Sequence, residues 1–180
     1  MNRKLRSVRC TILILLGIGG AIATTRQACA ADTVVGLDAD GAVPVNSQSL
    51  LRGGGGFGVR LGSQLHLPLL RIEGEVGYGY ERLLADQAPT DWSTHRALVG
   101  GRIGLGELLV PFVFSHVGYG WRSTTDGSYG GNGVAFDAGL GLDLNLGIVA
   151  AGVHAGYATI DAQPAAPQWV ILGLDGSLVF

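Results

Sequence analysis

Lysine is missing from this chain after residue 4, and cysteine is missing after residue 29. Charged residues make up 14% of the sequence, well below the roughly 25% of soluble domains. Beyond residue 30, no run approaches the ~20 apolar residues that a membrane-spanning helix needs. These absences leave two main classes, a very apolar soluble β protein or a membrane β-barrel. Glycine is instead abundant, with 31 of 180 residues.

The N-terminus has the features of an export signal. An apolar run from Thr11 to Ala23 leads to Ala28-Cys29-Ala30, a small-residue cleavage site. The basic residues that precede the run are Arg3, Lys4, Arg6 and Arg9. The sequence predicts a signal peptide over residues 1–30, cleaved after Ala30. The alternative is a lipoprotein acylated at Cys29, which Arg26 disfavours because an apolar residue is usual at that position.

The predicted mature chain, residues 31–180, is acidic and free of cysteine. It retains seven arginines against fourteen acids, a formal charge of −7, and it contains neither a lysine nor a thiol. A disulfide is therefore excluded from the mature protein. An acidic product without a basic patch argues against nucleic acid as a partner.

Hydrophobicity alternates with a period of two along the whole mature chain, which is typical of β-strands. Each alternating segment has about 11–14 residues, whereas a tilted strand needs ~9–11 to cross a membrane and soluble strands have about five or six. The segments are Thr33–Val45, Gly55–Leu65, Leu70–Glu81, Trp92–Leu105, Leu109–Arg122, Gly133–Leu144, Ile148–Ile160 and Trp169–Phe180. The lengths favour a membrane protein.

Charged side chains keep to one face of these segments. Successive residues of a strand point to opposite faces, and all thirteen charges within the segments lie opposite the apolar set. In the first segment, for example, Val35 and Leu37 oppose Asp38 and Asp40. This alternation alone does not decide which face is inside, because a soluble barrel would bury the apolar face.

Three features favour an apolar exterior. The non-apolar face holds glycine and charge rather than lysine and other solvated residues. The connections alternate in length: about eight to ten residues at 46–54, 82–91, 123–132 and 161–168, and three to four near Pro68, Gly106 and Asn145. Aromatic residues cluster beside the longer loops, as in an interfacial girdle. The predicted girdle is Phe57, Tyr78, Tyr80, Trp92, Tyr119, Trp121, Phe136, Tyr157 and Trp169.

With these features the chain resembles the small outer-membrane β-barrel proteins, the class of the OmpA transmembrane domain and OmpX. The resemblance covers residues 31–180 and includes phrases such as Gly118-Tyr119-Gly120-Trp121 and the ending Leu174, Leu178 and Phe180. It implies an all-β fold, an eight-stranded antiparallel up-and-down transmembrane barrel in the outer membrane. It also implies that the ending is an assembly signal read by the barrel-assembly machinery, and that the lipid and lipopolysaccharide of that membrane surround the barrel.

Charges that face inward must be paired to be tolerated, so an internal ion-pair network is predicted. Its members are Asp38, Asp40, Arg60, Arg71, Glu73, Glu75, Arg96, Arg102, Asp137, Asp143 and Asp175, with Glu81 and Arg122 on the same face. Three of the eight acids lack an arginine partner, so rim solvent, protonation, water or a cation could accommodate them. Eight strands leave little lumen, although inward glycines could open a narrow channel.

The candidate catalytic and metal sites are weak, and we predict no enzyme, cofactor or metal. Asp91, Ser93 and His95 resemble the residue types of outer-membrane lipid A acyl-modifying enzymes, but residues spaced by two do not make a nucleophile–base–orienter chain. The histidines His66, His116 and His154 lack metal-ligand spacing, and the Gly53–Gly56 run lacks a phosphate-loop ending. The predicted function is a structural or surface-interaction role. The alternatives are a lipid A-modifying enzyme, a narrow channel and a soluble lipocalin-like carrier.

Overall fold

The computed structural model describes residues 31–45, 51–85, 91–125, 127, 130–162 and 166–180. The predicted signal peptide and its cleavage site lie outside the described residues. The described residues form eight strands. They are β1 (Ala31–Pro44), β2 (Leu51–Leu67), β3 (Leu70–Ala85), β4 (Trp92–Leu105), β5 (Leu109–Thr124), β6 (Gly130–Asn145), β7 (Val149–Ala162) and β8 (Gln168–Val179). Within these residues no helix has the length and hydropathy that crossing a membrane would require.

The eight strands form a closed barrel in which each strand pairs antiparallel with its sequence neighbours. β1 closes the barrel against β8, with Asp38 opposite Asp175 and Pro44 opposite Trp169. Phe180 and Thr33 exchange two backbone hydrogen bonds just beyond the β8 ladder. The predicted eight-stranded up-and-down barrel is confirmed.

Six of the eight strands are longer, and the four long connections are shorter, than the sequence pattern predicts. Additional residues join the strand pairing at the ends of β2, β3 and β6 that adjoin the longer connections. The four longer connections therefore have five or six residues rather than eight to ten. The three short turns have two or three residues. Two of those turns contain a glycine with positive φ, Gly106 at 110° and Gly147 at 91°, a conformation that favours a residue without a Cβ. We call the two ends of the barrel the loop end and the turn end.

The apolar side chains lie on the outside of the barrel. Leu140 and Leu174 are 62% and 63% exposed, whereas Arg60 and Glu73 are 7% and 9% exposed. A soluble barrel has the opposite arrangement. Large apolar side chains are exposed on all eight strands, whereas the apolar patches of a soluble monomer are limited to a few hundred Å². Such an exterior is suited to contact with hydrocarbon.

The interior has three layers. At the loop end a cluster of apolar residues fills the lumen, namely Ala42, Leu83, Ala135, Ala158, Ile160, Ala162, Trp169 and Ile171. Charged side chains occupy the middle of the barrel. Val34, Gln64, Val110 and Ala150 are buried at the turn end. We refer to the loop-end layer as the apolar plug, since it separates the charged layer from that end of the barrel.

Candidate functional site

Arg60 and Arg102 bind the same three carboxylates in the middle of the barrel. Arg60 lies 2.8 Å from Asp38 and 3.3 Å from both Glu75 and Asp175. Arg102 lies 3.1 Å from Glu75, 3.4 Å from Asp175 and 3.9 Å from Asp38. The five residues come from five strands, so their contacts connect walls that the β-ladder does not join directly. Each is buried or nearly so, which makes the mutual neutralisation essential.

Arg96 makes a second group of ion pairs nearer the loop end. Its guanidinium binds Asp137 at 2.7 Å and also contacts Glu81. Glu81 accepts a further hydrogen bond from the Thr94 hydroxyl at 2.9 Å. Arg96 also lies over the Trp169 ring, 5.3 Å from its centroid, so this arginine joins the charged layer to the apolar plug.

Two histidines take part in the charged layer, a role that the sequence pattern does not predict. His116 hydrogen-bonds Asp137 through Nδ1 at 2.5 Å and Glu75 through Nε2 at 2.7 Å. His154 lies 3.0 Å from Asp40 and 3.4 Å from Asp175. A carboxylate only accepts hydrogen bonds, so the His116 imidazole, which binds two of them, must donate from both nitrogens, as the imidazolium does. His116 therefore supplies a cation in addition to the arginines, and His154 lies within ion-pair distance of two further carboxylates.

Two aromatic residues, Phe112 and Phe114, lie on the charged face of β5, where they pack against cationic side chains. The Arg102 guanidinium lies 4.8 Å from the Phe112 centroid and 5.8 Å from that of Phe114. Phe114 also stacks on His116 with a centroid distance of 5.5 Å and meets His154 edge-on at 6.0 Å. Cations bind favourably to the faces of aromatic rings. These two rings are therefore part of the packing of the charged layer.

Arg71 lies outside this network, contrary to the prediction. It pairs in register with His66 beside the turn at Pro68 and donates to the Glu107 carbonyl oxygen at 2.9 Å. Its side chain therefore reaches turn-end solvent. Glu73 and Asp143 do face inward, but one carboxylate oxygen of each is buried without a hydrogen-bond partner. His66 is also remote from the other histidines, and it lies 3.2 Å from Asp32 with both side chains well exposed.

Little free volume remains inside the charged layer. A cavity of about 70 Å³ lies among side chains that include Asp38, Asp40, Arg60, Arg102 and His116. Such a volume holds only a few water molecules, since roughly 10–15 Å³ of space of this kind is the least that holds one. The charged layer thus acts as a packed polar core.

Most of the predicted aromatic girdle lies on the exterior at the loop end, but the prediction is wrong for Trp169. Trp169 is fully buried in the apolar plug, because it shares the inward face of β8 with Ile171 and Asp175. Trp92 also packs against the plug and lies under the Arg122 guanidinium, 4.7 Å from ring centroid to Cζ. The exterior members are Phe57, Tyr78, Tyr80, Tyr119, Trp121, Phe136 and Tyr157.

Asp91, Ser93 and His95 lie on the exterior, and each has a partner outside the trio. Asp91 accepts hydrogen bonds from the Ala85 amide at 3.1 Å and from Arg82 at 2.8 Å. These contacts, the amide first, lower the pKa of the Asp91 carboxyl. Ser93 meets the Tyr80 hydroxyl at 3.4 Å, and His95 Nδ1 meets the Tyr78 hydroxyl at 2.6 Å. The geometry brings tyrosines to Ser93 and His95 and does not form a catalytic chain.

No protein-family model and no curated protein sequence matches this chain. Solved structures do match. Neisserial surface protein A superposes with a TM-score of 0.63 at 16% identity, covering 82% of this chain and 97% of that one. The fold is that of a small outer-membrane barrel. Ail, the attachment invasion locus protein of Yersinia pestis, is also similar, with a TM-score of 0.49, 12% identity and coverage of 83% and 97%.

The histidine that bridges two acids gives a test of the charged layer. Replacing His116 by phenylalanine is expected to destabilise the barrel by about 1–3 kcal/mol, because Glu75 and Asp137 each lose a buried donor. The same change at His66, an exposed histidine beside Asp32, should alter stability by less than about 0.5 kcal/mol. Urea unfolding in lipid vesicles measures both. Equal effects of the two changes would contradict the bridging role.

Proposed function

We propose that this chain is an integral outer-membrane β-barrel with a structural or surface-interaction role and no catalytic activity. Residues 1–30 would direct export, and residues 31–180 would form the mature barrel. Leu174, Leu178 and Phe180, all exposed on the outside of β8 and its end, would serve as the signal to the barrel-assembly machinery. The likeness to Neisserial surface protein A supports the fold.

One observation carries this proposal: a closed barrel with an apolar exterior and a filled interior. The apolar exterior argues against a soluble carrier, because in a soluble carrier the apolar face of the strands would line an internal ligand cavity. The filled interior argues against a channel, because the apolar plug and the ion pairs leave space for only a few waters. Function then depends on the outer surface, that is, on the loops and on the rim beside them.

Membrane fractionation of the full-length chain, expressed in a Gram-negative host, tests the location. The protein is expected in the outer-membrane fraction, with an electrophoretic mobility that changes on boiling as a detergent-resistant barrel unfolds. Residues 1–30 are expected to be absent from the mature protein by mass spectrometry. A soluble periplasmic protein released by osmotic shock would contradict the proposal.

Planar-bilayer recording tests the filled interior. The purified barrel is expected to insert without producing conductance steps, because the apolar plug and the paired charges block any continuous water path. Regular unitary steps would favour the channel alternative. Mass analysis of lipid A from cells with and without the protein addresses the enzyme alternative, and changed acylation would overturn the non-catalytic role.

A further inference from the structure

Aromatic rings form a continuous patch on one side of the barrel exterior at the loop end. Phe57 lies 5.5 Å from Tyr80, Tyr80 lies 5.1 Å from His95, and His95 lies 5.3 Å from Trp121, all between ring centroids. The His95 and Trp121 planes differ by only 4°. We define the rim cluster as Tyr78, Tyr80, Ser93, His95 and Trp121, which lie on the adjacent strands β3, β4 and β5.

Polar atoms are built into this patch. The Tyr78 hydroxyl binds His95 Nδ1 at 2.6 Å, and the Tyr80 hydroxyl meets Ser93 at 3.4 Å. With the proton of His95 on Nε2, Tyr78 donates to Nδ1 and Nε2 can donate to a ligand. A histidine and a serine facing hydrocarbon would be costly. The rim cluster therefore belongs at the level of lipid headgroups, where a ring with a polar group is favoured.

The rim cluster differs from the rest of the aromatic girdle in how its side chains are joined. Exterior aromatic residues also lie on β5, β6 and β7, namely Tyr119, Phe136 and Tyr157, and a girdle of that kind sets the depth of a barrel in the membrane. In the rim cluster, by contrast, the rings contact one another and two hydroxyls are hydrogen-bonded to neighbouring side chains. Five joined hydrogen-bonding or stacking side chains on three adjacent strands point to one particular ligand.

The surroundings of the rim cluster indicate the chemistry of that ligand. Among the residues that the structure describes, the nearest charges toward the loops are Arg82 and Asp91, which neutralise each other at 2.8 Å, so the site does not select a bare anion. Hydroxyls and an imidazole beside stacked rings suit a sugar, which has an apolar C–H face and a rim of hydroxyls. Toward the membrane centre, Val76, Val99 and Val117 form an exposed apolar row that suits acyl chains.

We propose that the rim cluster binds the sugar headgroup of an outer-leaflet glycolipid. The sugar stacks on the partly exposed His95–Trp121 pair and exchanges hydrogen bonds with the Tyr78, Tyr80 and Ser93 hydroxyls, while the acyl chains lie along the valine row. The inference rests on the proposed function, since it requires a barrel inserted in the membrane. It adds a defined site and a class of ligand to that proposal.

Native mass spectrometry of the mature barrel, reconstituted in nanodiscs, tests the site. The probes are purified lipid A, a glycolipid, and phosphatidylglycerol, an anionic lipid without a sugar ring of that kind. The barrel is expected to retain lipid A in preference. Trp121→Ala and His95→Ala should each lower that retention by about tenfold, as the loss of one good contact would, and Tyr78→Phe should lower it less. Tyr157→Ala, an exterior tyrosine outside the rim cluster, should leave it unchanged.

Each contrary result has a distinct meaning. Equal retention in Trp121→Ala and Tyr157→Ala, or equal retention of the two lipids, would overturn the glycolipid site while leaving the barrel's membrane role intact. A dimer that covers the rim cluster in the nanodisc would also overturn it. Failure of the wild-type chain to insert at all, judged by its boiling-dependent mobility, would remove the proposed function and this inference together. Tyr78→Phe keeps the ring and so tests the hydroxyl in a barrel that still folds.

Discussion

Replacing Arg60 by methionine is expected to destabilise the barrel by about 3–5 kcal/mol. The Arg60 guanidinium binds three carboxylates from three other strands. Methionine fills a similar volume, so the change removes mainly the charge. Asp38, Glu75 and Asp175 would then share Arg102 with two histidines that also contact Asp137 and Asp40, which leaves buried negative charge without compensation. Removing one partner of a buried ion pair costs more than replacing the whole pair by apolar residues.

Arg71→Met is the matched control for this experiment. Arg71 points to the same face of the barrel but reaches the turn-end carbonyl of Glu107. The same chemical change there is expected to alter stability by less than about 1 kcal/mol. Urea titration of both variants in lipid vesicles, followed by the mobility shift on unfolding, measures the difference. Similar losses for the two variants would mean that the Arg60 ion pairs contribute little, and that the strand ladder and the apolar layers hold the barrel.

A glycine on the neighbouring strand makes space for Arg60. Gly36 is opposite Arg60 in the β1–β2 register, and a Cβ there would overlap the arginine side chain. Inward glycines thus create the room that long charged side chains need in a narrow barrel. This gives the glycine-rich inward face a physical reason beyond strand coiling.

The fold could be predicted from the sequence because alternation is a local property. Whether Leu140 or Asp137 faces outward follows from counting along one strand, and the lack of lysine indicated that the charged face does not meet water. The ends of the strands were harder to predict. The residues around Leu83, Thr124 and Gly130 look like loop residues, yet they pair because neighbouring strands are present to bond with them.

The candidate site could be predicted less well, because it depends on which strands face each other across the lumen. His116 and His154 share the inward face with the charged residues, and this signal was in the sequence, but their partners come from strands distant in the chain. Tyr78 and His95 are likewise joined only by the β3–β4 register. Trp169 lies at the level of the girdle but on the inward face of β8, so its position along the strand alone predicts the wrong side of the barrel.

Trp169 therefore offers the sharpest test of what the structure corrects. Its indole is fully buried in the apolar plug, which also contains Ile160 and Ile171, and it lies beneath Arg96. Trp121, by contrast, is on the exterior and 38% exposed. If the interior is packed like a protein core, removing the buried indole leaves a cavity that the rigid strands cannot close. Removing the exterior indole lets lipid fill the space.

We expect Trp169→Ala to destabilise the barrel by about 3–5 kcal/mol, the usual loss for a large aromatic residue truncated in a core. Trp121→Ala should lose less than half of that, because only part of its surface packs against protein. Unfolding of both variants in the same vesicles gives the two values, and indole fluorescence gives an independent check. The remaining tryptophan emission should shift further to the red in Trp169→Ala than in Trp121→Ala. The reason is that opening the plug admits water to the inward-facing Trp92. A larger loss of stability for Trp121→Ala than for Trp169→Ala would contradict the burial of Trp169 in the lumen. It would favour the original prediction that Trp169 belongs to the exterior girdle.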